Sequence, residues 1–116
     1  MKLNDVAGEL QIDRRKLTAY ALDPDNPVGR HKAYVFERIL GFTKDHYEPL
    51  MRQIEDNALD GEAVLKRVDQ HGSHYAVDLM VIGIQGQSAM IRTGWLVPID
   101  SNEAWLITLY VRKSKK

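Results

Sequence analysis

Hydrophobic residues recur every three or four positions through the first half of the chain, and at every second position after Gly61. The first helical run holds Leu17, Tyr20 and Ala21 on one face, behind Asp13 as N-cap, with Ile12 and Leu17 spaced as a hydrophobic staple. The turn-forming stretch DPDNP, residues 23–27, ends it. A second helix starts either at Asn26 as cap with Pro27 at its first position, or after Gly29. Its stripe is Ala33, Phe36 and Leu40, flanked by Val35 and Ile39, and Gly41 closes it. A third helix runs from about Asp45 or Tyr47 to Leu59, with Leu50, Ile54 and Ala58 at four-residue intervals and Pro49 confined to its opening turn.

Alternation then predicts strands over 63–69, 74–83, 88–98 and 104–112, joined by the short turns QHGS, IQGQ and IDSNE. Helices first and strands afterwards give an α+β domain. About three N-terminal helices (1–61) pack on one face of a C-terminal four-stranded antiparallel meander sheet (62–113), and 114–116 is a frayed basic tail. Strict alternation assigns Val77, Leu79 and Val81, then Ile91, Thr93 and Trp95, then Trp105, Ile107 and Leu109 to the core face; only a bulge near Gly94 would turn Thr93 outward. The opposite face receives Asp78, Met80, Arg92, Gly94, Thr108, Tyr110 and Arg112. On its own, such a mixture is the wet side of an antiparallel sheet.

Composition narrows the function classes. A chain of 116 residues without cysteine fits one globular domain, without disulfides or thiolate metal sites. With no apolar run long enough for a membrane span and no signal-peptide layout, the expected location is cytoplasmic and the expected partners include no membrane. Net charge is zero, so no continuous basic coat is present. The bases instead gather at Arg14, Arg15 and Lys16, at Arg30, His31 and Lys32, and in the tail from Arg112. The second cluster sits on a helix start, where the positive end of the macrodipole makes each cation unfavourable by about 0.3–1 kcal/mol. An anion at that position would remove the conflict.

His71 and His74 flank Gly72 in a tight turn with no third donor, so a structural turn outweighs a zinc site. No carboxylate spacing suits a metal nuclease, no serine stands in a nucleophile elbow, and no glycine-rich loop precedes a helix, so neither a metal nor a cofactor is expected. What remains is His31 and Lys32 on a helix start with Arg92, Thr108 and Tyr110 on strands. These are the residue types for metal-free RNA cleavage: a proton-transfer group, for which histidine with its ordinary pKa near 6.5 is suited, and cations with hydroxyls around the phosphate. Arg30, Arg14, Arg15 and Lys16 would bind the flanking RNA. Each residue also has an ordinary structural role open to it: Arg92 can pair with Asp78 across the sheet, and the basic clusters can be met by Asp23 and Asp25.

The segments KLTAYALDPDNPVGRHKAYVFERILGF (16–42), MIRTGWLV (90–97) and LITLYV (106–111) resemble a family of small uncharacterised bacterial domains, with the signature NPxxGxHKA, LGF, RTxW and TxYV along nearly the whole chain. In architecture the chain also resembles the barnase, colicin and RelE-like ribonuclease toxins. That resemblance implies His31 as the proton-transfer residue, Lys32 and Arg92 as phosphate cations, and Thr108 and Tyr110 as hydroxyl donors. The expected function is therefore a toxin-type endoribonuclease that acts on RNA by 2′-hydroxyl attack and is held in check by a cognate antitoxin or immunity protein. The alternative is a non-catalytic module of antitoxin, immunity or adaptor type whose basic helix start docks an acidic protein. The sequence sets no oligomeric state.

Overall fold

The computed structural model describes residues 1–112. The expected basic tail, 114–116, lies outside the described residues. Two α-helices, α1 (Arg30–Leu40) and α2 (Glu48–Asn57), lie against one sheet of five strands: β1 (Glu9–Gln11), β2 (Ala63–Asp69), β3 (Gly72–Ile82), β4 (Ser88–Pro98) and β5 (Glu103–Val111). The strand order is β1-β5-β4-β3-β2.

This corrects the expected four-stranded antiparallel meander under three helices. β2 to β5 do form a meander, but β1 joins the edge of β5 in parallel, pairing Leu10 with Ala104. The sheet is therefore mixed and five-stranded. Three residues are too short to carry a period-two signature, and a parallel partner more than ninety positions away leaves no local trace. The expected first helix is likewise reduced. Pro24 blocks the far side, and only a short helical turn forms over Leu17–Ala21, closed by a wide bond from the Leu22 N–H to the Leu17 carbonyl. The expected cap does not form on this turn: Asp13 accepts the Arg15 N–H at 3.0 Å ahead of it, and the turn's N-cap position is Lys16, without a side-chain bond.

α1 and α2 follow their apolar stripes. Phe36 and Leu40 of α1 and Leu50 and Ile54 of α2 are fully buried against Val77, Val81, Ile91 and Trp95, each contributing about 1.5–3 kcal/mol of hydrophobic stabilisation. Gly41 ends α1 in the left-handed conformation, φ 80°. The start of α1 combines both sequence expectations: the Asn26 carboxamide oxygen accepts the Val28 and Gly29 N–H groups, and the helix proper begins at Arg30.

One face assignment is overturned. Trp105 and Ile107, expected in the core, are 42% and 39% exposed, whereas Ala104, Leu106, Leu109 and Val111 are buried. The cause is a β-bulge: Trp95 pairs with Leu106 and Gly94 with Thr108, so Ile107 is the unpaired extra residue. It shifts parity between the two halves of β5. Thr93 stays inside, fully buried, its hydroxyl donating to the Val77 carbonyl at 2.7 Å and accepting the Trp95 indole N–H at 2.7 Å.

β1 covers only Glu103–Trp105 of β5. α1 packs against β5, and Lys32 at its start bonds Thr108, beyond the segment that β1 covers. That is how a side chain from the helix start reaches the far half of β5.

Candidate phosphate-binding groove

The local sequence of NPVGRHK explains where its lysine goes. The Asn26 side-chain amide donates to the Ala19 carbonyl at 2.8 Å, fastening the lead-in turn of α1 to the Leu17–Ala21 turn. Gly29 lies so close to the Tyr20 carbonyl that any Cβ there would collide with it. With the two segments in backbone contact, Lys32 in the first turn of α1 comes to lie beside the Tyr20 side chain.

Its ammonium donates to the Tyr20 hydroxyl at 2.6 Å and to the Thr108 hydroxyl of β5 at 3.0 Å. It also lies 4.7 Å from the Tyr20 ring centroid and 5.6 Å from that of Tyr110. The bond from Lys32 lowers the pKa of the Tyr20 phenol, against the opposing effect of burial. Among the described residues no carboxylate pairs with Lys32. An ammonium has three donors, so two neutral hydroxyls leave its charge uncompensated and one N–H to be placed.

Lys32 lines neither of two neighbouring hollows itself, but its hydroxyl partners do, Thr108 in the first and Tyr20 in the second. The first, about 260 Å³, lies on the outer face of the sheet over Gly94 and Ala76, with Arg92, Thr108 and Tyr110 along one side and Arg67 and His74 along the other. The second, about 350 Å³, is lined by Asp13, Arg15, Lys16 and Tyr20. Ile107, the bulged residue, lines both and marks the divide.

Arg92 is not a free cation. It grips Asp78 with two bonds, 2.8 and 3.1 Å, and Arg112 adds a third at 2.8 Å. The Arg92 guanidinium, and secondarily Arg112, hold the Asp78 carboxyl below its usual range. The three groups together keep a net positive charge beside Tyr110. Arg15 is similarly bound to Asp13, whose pKa that bond depresses to about 2.

The structure thus brings Lys32, Arg92, Thr108 and Tyr110 to one place, with Arg15 and Lys16 in the adjoining hollow. His31, Arg30 and Arg14 are placed elsewhere. His31 is exposed and lines neither hollow, because successive helix residues point about 100° apart and Lys32 takes the direction of the sheet. Arg30, two positions from Lys32, lines a separate depression of about 200 Å³ with Tyr34, Glu37 and Lys44. Arg14 is exposed and lines neither hollow.

Sequence reasoning missed Tyr20, His74 and the pair Lys66 and Arg67 of β2. For His74 the signal was present: it precedes Ala76 and Asp78 at every second position, and that alternation places all three on the outer face. Tyr20 gave none beyond its apolar ring.

A chain of the contact-dependent growth inhibition toxin–immunity protein complex from Klebsiella pneumoniae 342 has a similar fold, with a TM-score of 0.63 at 18% identity, covering 89% of this chain and 93% of that chain. No curated protein matches the sequence. The family described as Domain of unknown function (DUF6883) matches residues 2–113, and the chain belongs to that family.

Proposed function

We propose that the protein is a toxin-type endoribonuclease that cleaves RNA in this groove without a metal ion, leaving a 2′,3′-cyclic phosphate. The observation that carries the reading is the Lys32 ammonium, held by two hydroxyls and by no carboxylate among the described residues; one of those hydroxyls, Thr108, lines a groove that also presents Arg92 and Tyr110. Charge developing on the equatorial oxygens of a pentavalent phosphate is stabilised by donors fixed in advance. The free N–H of Lys32, the hydroxyls of Thr108 and Tyr110 and the positive Arg92–Asp78–Arg112 group are such donors. Asp69 and Asp78 are each bonded to cationic or histidine side chains. Lys16 and Arg15 in the second hollow would hold the neighbouring phosphates of the strand.

The fold shared with a chain of a toxin–immunity complex supports a toxin- or immunity-type role, with a cognate immunity protein as partner. At that identity the likeness concerns the fold, so the chemistry rests on the groove. Expression in a bacterial host should arrest growth, and the purified protein should cut phenol-extracted total RNA in the presence of chelator. Neither arrest nor cleavage, together with salt-sensitive binding of an acidic protein, would replace this reading with a non-catalytic docking module.

A further inference from the structure

The groove as described has donors for the phosphate but lacks a base facing the sugar, since His31 lies outside it. Across the sheet, Ala76 of β3 pairs with Gly94 of β4, which pairs with Thr108 of β5. This row has one methyl group and one bare Cα at its centre, so it forms a floor. On the β5 side the row ends at Thr108, to which Lys32 is bonded; on the β3 side the groove is lined by His74, two residues before Ala76. β3 and β5 are two strand spacings apart, about 9.6 Å, and His74 is offset by a further two residues along β3 from the row that ends at Thr108.

His74 is itself held. Its Nε2 bonds the Asp69 carboxylate at 2.9 Å, and Asp69 also accepts the His71 N–H at 2.9 Å. That backbone bond first, and His74 after it, keep the Asp69 carboxyl below its usual range, so it stays ionised. A carboxylate on one ring nitrogen fixes the tautomer, leaves the other nitrogen as the base, and stabilises the imidazolium that forms when it takes a proton.

We propose that His74, oriented by Asp69, is the catalytic base of the groove, acting across the Gly94 floor from Lys32; this rests on the ribonuclease reading above. In the step, Nδ1 of His74 takes the proton of the ribose 2′-hydroxyl as the 2′-oxygen bonds to phosphorus. The bond from phosphorus to the 5′-oxygen breaks, and that oxygen leaves with a proton from the hydrogen-bonded Lys32–Tyr20 pair. The products are a 2′,3′-cyclic phosphate and a 5′-hydroxyl, and solvent returns one proton to the pair and removes one from His74. Asp69 is a positioning residue.

The test uses the full chain, phenol-extracted total bacterial RNA and chelator. His74→Ala should lower the cleavage rate by about 10²- to 10⁴-fold, the range for losing a general base, with folding intact by circular dichroism. Added imidazole should restore part of the rate, which a merely structural histidine would not allow. Asp69→Asn should give a smaller loss without imidazole rescue. If His74→Ala fails to fold, His74→Gln, which keeps a donor for Asp69, is read in the same way. Cleavage by a folded His74 variant within about threefold of wild type, with Lys32→Ala inactive, would overturn the assignment of His74 and leave the ribonuclease reading standing. A wild-type protein that cuts no RNA would overturn both.

Discussion

The Lys32 ammonium and the Tyr20 hydroxyl lie 2.6 Å apart, brought together by backbone contact between the turn that carries Tyr20 and the start of α1. The fit depends on Gly29, whose missing side chain lets the two backbones touch.

Gly29→Ala should therefore push α1 away from Tyr20. Overpacking of this kind costs about 1–3 kcal/mol, and chemical denaturation should show a loss in that range. Because the displaced helix start carries Lys32, RNA cleavage should fall much further than stability, by an order of magnitude or more under conditions where the variant is fully folded. Full activity in a destabilised Gly29→Ala protein would mean that the position of Lys32 does not matter.

Thr93 serves the core. In Thr93→Val the indole N–H of Trp95 loses its acceptor inside the protein while the volume is nearly preserved, so the change should cost about 1–3 kcal/mol. Denaturation midpoints would show this, with cleavage per folded molecule unchanged.

The ion pairs set an acid limit on stability. Asp78 has a depressed pKa in the folded state, so its contribution is fully present above the unfolded carboxylate value of about 3.9 and is lost as pH falls through the lower folded value. Asp13 and Asp69 act in the same direction. Asp78→Asn should make the protein less stable at neutral pH and flatten the fall in stability below about pH 4. A variant with an unchanged acid slope would show that Arg92 and Arg112 do not hold Asp78 in solution.

Much of this was legible in the sequence. The alternating runs located β2 to β5 within two residues of their ends, and the stripe from Ala33 to Leu40 with Gly41 located α1. The rest was lost for local reasons. β1 was too short for any period, and the bulge at Ile107 reversed parity in mid-strand, which exposed Trp105 and Ile107. At the candidate site, Lys32, Arg92, Thr108 and Tyr110 are expected from residue type and face. The same cluster also offered His31 and Arg30, because a run of bases does not say which of its members the helix turns toward the sheet. His74 was weighed only as a metal ligand in a turn, although its alternation with Ala76 and Asp78 already placed it on the outer face.

Lys32→Ala bears on the groove most directly. Tyr20 and Thr108 can bond to water in its place, so stability should change by about 1 kcal/mol or less. The rate at which purified protein cuts total RNA in chelator should be compared for wild type and Lys32→Ala, with the product ends identified. Wild-type cleavage should end in 2′,3′-cyclic phosphate and fall at least about 10²-fold in the variant; equal rates in the two folded proteins would contradict a role for Lys32 in cleavage.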